Sequence, residues 1–142
     1  MQKSKICLPD VNVLLAFAVD GHVHHALAVR WVSGLERNSA LLCRVTQMGL
    51  LRLLTNQKVM GPDILNQQAA WSVYETLLRD NRFRFVDEPP GLQSTWKDQT
   101  QLRHPAVNLW TDAYLMAFAM LSGAQMTTFD KAAANRGAVL IQ

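Results

Sequence analysis

The chain has 142 residues, enough for one domain with a real core and not comfortably for two. It is 49% apolar and 18% charged, which excludes a disordered tail. The formal net charge of +3, with a pI near 9.1, is compatible with a nucleic-acid partner without requiring one.

In chain order, Lys3 and Lys5 precede an apolar stretch ending near Val19, a loose imitation of a secretory signal. Pro9, Asp10 and Asn12 interrupt it, and no small-x-small cleavage site follows. Lys5–Leu8 is therefore expected to be a buried strand and Val11–Ala18 a helix. After the Asp20-Gly21 turn, His24–Glu36 places Leu27, Trp31, Val32 and Leu35 at helical spacing. Ala40–Cys43 is a second strand, and Thr46–Leu54 a helix with Thr46 as its N-cap. Gly61-Pro62-Asp63 turns the chain into a helix from about Ile64 to Leu78, with Leu65, Ala69, Val73 and Leu77 on one face.

Arg82–Val86 is aromatic and β-branched, hence a strand, and Leu92–Leu102 is a weaker helix followed by an irregular stretch to Leu109. Thr111–Leu121 is a strong helix capped by Thr111 and ended by Gly123. Gln125–Thr128, Lys131–Asn135 and Ala138–Ile141 read as strand, short helix and last strand. Short strands alternating with amphipathic helices predict an α/β fold, a parallel sheet with helices on both faces, forming one domain over residues 1–142. Cys7 and Cys43 lie in apolar runs without C-x-x-C spacing, so two buried free thiols in a reducing cytoplasm are expected. No apolar segment approaches the roughly 20 residues that a membrane span needs.

Three aspartates stand where strand or loop gives way to helix: Asp10, Asp112 and Asp130. In open α/β sheets, sites form beyond the carboxyl ends of the strands. Asp10 follows the first strand, Asp130 follows the fourth, and Asp112 opens the helix leading into the fourth. All three can converge on one edge, where helix N-termini favour negative charge. Clustered carboxylates are tolerated when a cation neutralises them, and hard oxygen ligands point to Mg²⁺ or Mn²⁺. The chemistry expected is metal-dependent phosphodiester hydrolysis.

The order of these segments resembles the PIN domain, specifically the VapC-type toxins of type II toxin–antitoxin pairs. The resemblance covers nearly the whole chain and rests on Leu8-Pro9-Asp10-Val11-Asn12, His22-Val23-His24-His25-Ala26 with Trp31, Val45-Thr46-Gln47-Met48-Gly49, Arg84-Phe85-Val86, Thr111-Asp112-Ala113-Tyr114 and Thr127-Thr128-Phe129-Asp130. It implies a three-layer α/β/α PIN-like fold with a short, mostly parallel central sheet. It further implies an endoribonuclease acting with one or two Mg²⁺ or Mn²⁺ ions on RNA, often tRNA or rRNA. The expected partners are a cognate VapB-type antitoxin and a second copy of the chain in a homodimer.

Carried over by position, Asp10, Asp112 and Asp130 are catalytic and metal-binding. The family's usual second acid, a Glu, is missing: Gly49 falls about where it is expected, and Gln47 is the nearest polar side chain. One tight ion, or looser binding, follows from the lower negative charge. Asn12, Thr46, Gln47, Arg52, Thr111 and Thr128 are candidates for orienting carboxylates or contacting substrate, with ordinary helix-start roles as the alternative for Asn12, Thr46 and Thr111.

His22, His24 and His25 read as a helix start in preference to a metal trio. Arg79, Arg82 and Arg84 form either a phosphate-binding cluster or a solvated face paired with Asp80 or Asp87, and Trp110 is a candidate for base stacking. The rival function is a catalytically inactive RNA-binding or antitoxin-docking module. DNA or flap cleavage is a further reading. A phosphatase with Asp10 as nucleophile is disfavoured because Asn12 stands where that chemistry wants a second Asp.

Overall fold

The structure, a computed structural model, describes residues 6–142. Lys3, Lys5 and the start of the first expected strand lie outside the described residues. The elements in order are β1 (Cys7–Pro9), α1 (Val11–Ala18), α2 (His25–Ser33), β2 (Ala40–Leu42), α3 (Arg44–Leu54), α4 (Gln57–Met60), α5 (Gln67–Arg79), β3 (Phe83–Phe85), α6 (Leu92–Gln99), α7 (Leu109–Leu121), β4 (Gln125–Thr128), α8 (Lys131–Asn135) and β5 (Val139–Leu140). A 3₁₀ turn over Gly61–Asp63 follows α4.

The five strands form one parallel sheet in the order β3-β2-β1-β4-β5. Residues alternate across the pleat, so neighbours in a strand serve opposite faces. Cys7, Ala40, Leu42 and Phe83 enter a core with Leu14, Leu15, Val32, Leu50, Leu54, Tyr74 and Leu77, which places α1, α2, α3 and α5 on one face. Leu8, Leu41 and Met126 enter a second core with Leu92, Leu115, Phe118 and Ala133, which places α6, α7 and α8 on the other. These are the three layers expected of the α/β/α arrangement. Both cysteines are buried and free, and burial pushes the Cys7 thiol up to about 12.

The strand order reverses at β1. The chain leaves β1 towards β2 and β3, then crosses to β4 on the other side. Such a reversal opens a crevice at the carboxyl ends of the two central strands, the favoured ligand position in doubly wound sheets.

Helix α5 starts later than expected, at Gln67 after the Asn66 cap in place of about Ile64, and two other helices start earlier. Helix α3 begins at Arg44, with Cys43 as N-cap and Thr46 at the third helical position, where its hydroxyl accepts the Cys43 N–H at 3.0 Å. Helix α7 begins at Leu109 after Asn108, so Thr111 lies inside the first turn and is not its cap. In both cases the turn forms earlier because the Ser/Thr preference at a cap is worth only about 1 kcal/mol and packing decides the start. On α5 the buried face is Ala70, Tyr74 and Leu77, with Leu65 and Val73 partly buried beside it. Trp71 on that helix is exposed.

Helices α1 and α3 approach closely at Gly49. A Cβ there would lie 2.6 Å from Cγ2 of Val11, the residue after Asp10. Valine is stiff at χ1 and does not yield cheaply. Replacement of Gly49 by Ala is expected to destabilise the protein by about 1–3 kcal/mol through overpacking, measured as a lower urea midpoint with unchanged slope. A midpoint equal to wild type would show that α1 moves freely over α3.

Candidate active site

Strand β1 ends at Pro9, and Asp10 caps the helix that follows. Its backbone is extended, and Oδ1 accepts the Val13 N–H at 3.0 Å. The neighbouring strand β4 pairs in parallel, with Pro9 opposite Thr127. Register therefore brings the end of β4 beside Asp10. The Thr128 hydroxyl donates to Asp10 Oδ2 at 2.6 Å and accepts the Asp130 N–H at 2.9 Å. One fully buried threonine thus links the first and last aspartates. Asp130 caps α8, accepting the Ala132 N–H at 2.9 Å.

Asp112 sits in the first turn of α7, where unpaired backbone N–H groups favour an anion. Its Oδ2 is held by Nη2 of Arg136, the residue that ends α8. Asp112 is also close enough to Asp10 for its charge to act there. Partial burial holds the Asp10 carboxyl above its ordinary value. The Thr128 hydroxyl and the Val13 N–H work against that rise, the Asp112 charge adds to it, and the Asn12 N–H opposes it.

The donor set fits a hard divalent cation. It consists of carboxylate and hydroxyl oxygens around a partly buried, electrostatically uncomfortable Asp10. As the side chains stand, no three His, Cys, Asp or Glu groups among the described residues are gathered closely enough to hold a metal ion. Asp10 is joined to Asp130 through Thr128 and to Asp112 through its field, while Asp112 is engaged with Arg136.

The other candidates are dispersed. Asn12 is exposed on the first turn of α1, with its backbone N–H directed at Asp10. Thr46 is fully buried and bonded to the Cys43 backbone in both directions, so it serves the start of α3. Gln47 is buried, accepts from Arg44 Nη1 and neighbours Tyr74, with no contact to an aspartate. Arg52 lies in the last turn of α3, about 12 Å of helix rise beyond Arg44 and towards the opposite rim. Thr111 is exposed.

The basic cluster has the structural role weighed for it. Arg82 forms a two-pronged pair with Asp80, at 3.0 and 2.7 Å, and also reaches the Val32 carbonyl. Arg84 donates to the Asn38 carbonyl, and Arg79 to Thr76. Trp110 is 56% exposed, and its carbonyl accepts the Trp96 indole N–H. His25 bonds the Ala16 carbonyl and faces Asp20, which suits the start of α2.

Sequence reasoning missed Arg136, Arg44 and the His24–Phe129 contact. Arg44 lies over the Phe85 ring at 4.8 Å. The His24 ring rests 5.0 Å from that of Phe129, directly before Asp130. A signal for Arg136 existed: a helix of five residues rises only about 7 Å, so the residue that ends it stays near the rim where the helix began.

Residues 7–138 match the PIN domain family. The chain belongs to that family, and within it to the VapC type. It is 38% identical over 138 residues to ribonuclease VapC41 of Mycobacterium tuberculosis, spanning 93% of this chain and 94% of that protein. Among solved structures it is similar to VapC20 of M. tuberculosis, described as a sarcin-ricin loop cleaving toxin, with a TM-score of 0.70, 16% identity and coverage of 96% and 98%. It is also similar to VapBC2 of Rickettsia felis, solved bound to a DNA fragment from their promoter, with a TM-score of 0.64, 10% identity and coverage of 96% and 97%. At such identities the structural likeness establishes the fold.

Asp10 generates a stability prediction. A carboxyl whose pKa is raised on folding opposes folding once it is ionised. That penalty is absent below the ordinary carboxylate value of 3.8 and complete above the raised one. Asn keeps the helix cap and removes the charge. Asp10→Asn is therefore expected to raise the melting temperature of the metal-free protein at pH 7, with the gain shrinking as pH falls towards 4. A gain independent of pH would show that ionisation of Asp10 is not its source.

Proposed function

We propose that this chain is the ribonuclease toxin of a type II toxin–antitoxin pair, cleaving RNA phosphodiester bonds with Mg²⁺ or Mn²⁺ held by Asp10, Asp112 and Asp130. The observation that carries the reading is the Asp10–Thr128–Asp130 linkage at the strand-order reversal of a PIN domain, with Asp112 in electrostatic contact. A divalent ion bound there supplies an activated water and offsets the charge that develops on the phosphate.

The protein's own contributions follow from the geometry. Asp10 would be one of the residues holding the ion, with one oxygen tied to the start of α1 and the other oriented by Thr128. Thr128 also fixes the turn that aims Asp130. Asp112 completes the set from the first turn of α7. With Gly49 packed on Val11 in place of an acid, three carboxylates are available, which suits one tightly held ion. The substrate class is RNA, of the tRNA or rRNA kind. The chain acts as a cytoplasmic homodimer silenced by a VapB-type antitoxin. No helix among the described residues is long and apolar enough to cross a membrane.

Cellular RNA incubated with purified protein and Mn²⁺, with 5′ ends mapped afterwards, tests the activity. Asp10→Asn and Asp112→Asn are each expected to abolish the new ends while circular dichroism shows an unchanged fold. Wild-type cleavage by both variants sinks the assignment. If calorimetry finds RNA binding without Mn²⁺ uptake, the chain is the inactive docking module instead.

Thr128→Val removes the hydroxyl that orients Asp10 and keeps the side chain's shape. Loss of such an outer partner costs roughly 10–100-fold in metal affinity or activity. A Mn²⁺ titration of this variant is expected to show at least a tenfold weaker Kd. A Kd within twofold of wild type would mean that Asp10 is oriented by its helix alone.

A further inference from the structure

Arg136 is the one cation bound directly to a site aspartate among the described residues, and Asp112 is its sole polar side-chain partner there. Just beyond α8, Gly137 (φ +117°) comes near α7: a Cβ there would lie 2.9 Å from Met116 Cε, the movable end of a flexible side chain. Met116 is one helical turn beyond Asp112 and so shares its face of α7. Met116 beside Gly137 and Asp112 beside Arg136 thus lie on one face of α7, and the turn that carries Arg136 is shaped by backbone bonds from Gly137 N–H to the Ala134 carbonyl and from Ala138 N–H to the Ala133 carbonyl.

The pair is half open to solvent, with the Arg136 side chain 42% and the Asp112 side chain 26% exposed, so the guanidinium can leave without unfolding anything.

We propose that Arg136 is a resident counter-ion: it neutralises Asp112 in the metal-free protein and must swing away before Asp112 joins Asp10 and Asp130 around a divalent cation. This deepens the metal-dependent reading above and rests on it. It accounts for three acids at one rim that nonetheless form no three-acid cluster among the described residues. It also makes Arg136 a positioning residue, one that sets the ion concentration at which the site assembles.

The test is calorimetric titration of Mn²⁺ into wild type, Arg136→Gln, Arg136→Lys and Asp10→Asn, with thermal melting in parallel. Removing a half-exposed ion pair that the metal must break tightens binding by about three- to fivefold. Arg136→Gln is therefore expected to bind Mn²⁺ that much more tightly and to melt lower without metal, with a larger Mn²⁺-induced rise. Arg136→Lys keeps a counter-charge and stays within twofold of wild type, and Asp10→Asn takes up no ion. A merely structural role would lower the melting temperature of Arg136→Gln and leave its Kd unmoved. If Asp10→Asn loses binding while Arg136→Gln matches wild type or binds more weakly, the counter-ion role is overturned and the metal site stands. A gain in Arg136→Lys as large as in Arg136→Gln overturns it too. No Mn²⁺ uptake by wild type or Arg136→Gln overturns both readings.

Discussion

Asp10 and Thr128 are 118 positions apart in the chain and share a 2.6 Å hydrogen bond because β1 and β4 lie side by side. A parallel pair needs a long crossover, here most of the chain, so this neighbourhood exists only once both layers of helices have packed. The register places Pro9 opposite Thr127, and one step further on β1 has ended while Thr128 is the last residue of β4. The carboxylate, at the start of α1, then meets the hydroxyl of the last β4 residue. A slip of one residue would send the Thr128 side chain to the other face of the sheet.

Around that bond the protein holds charge where folding alone would not favour it. Asp10 is partly buried, close to Asp112, and supported by hydroxyl and backbone donors. Buried carboxylates of this kind cost stability unless compensated, and they persist where function needs them. The compensation is divided: helix N-termini serve all three aspartates, and a guanidinium serves Asp112. A rim carrying three aspartates remains folded in this way. Gly49 belongs to the same economy of space. A Cβ at position 49 would meet Val11, so α1 lies tight against α3 there.

The elements were largely legible because short apolar strands and amphipathic helices carry different periods. Strand ends and the starts of α1 and α8 were read closely, since Asp10 and Asp130 cap those helices by their own side chains. Thr46 and Thr111 misled as caps because a threonine one turn inside a helix looks the same in sequence as one at its edge. Arg52 misled in a similar way. It stands near the missing acid in sequence, yet α3 carries it down to the other rim. The arginines at 79, 82 and 84 read as either a phosphate site or a solvated face, and in the structure they bond the Thr76 hydroxyl, Asp80 and the Asn38 carbonyl respectively.

The sequence by itself determined the alternation of strand and helix, the apolar faces, the two buried thiols and the three aspartates at helix starts. Each of these is a local matter of residue type and spacing. Tertiary structure alone decided the strand order, the linkage of Asp10 to Asp130 through Thr128, the closure of position 49 and the pairing of Asp112 with Arg136. Those depend on which strands lie side by side and how closely helices approach. Both are set by packing between segments far apart in the chain, and no local pattern encodes them.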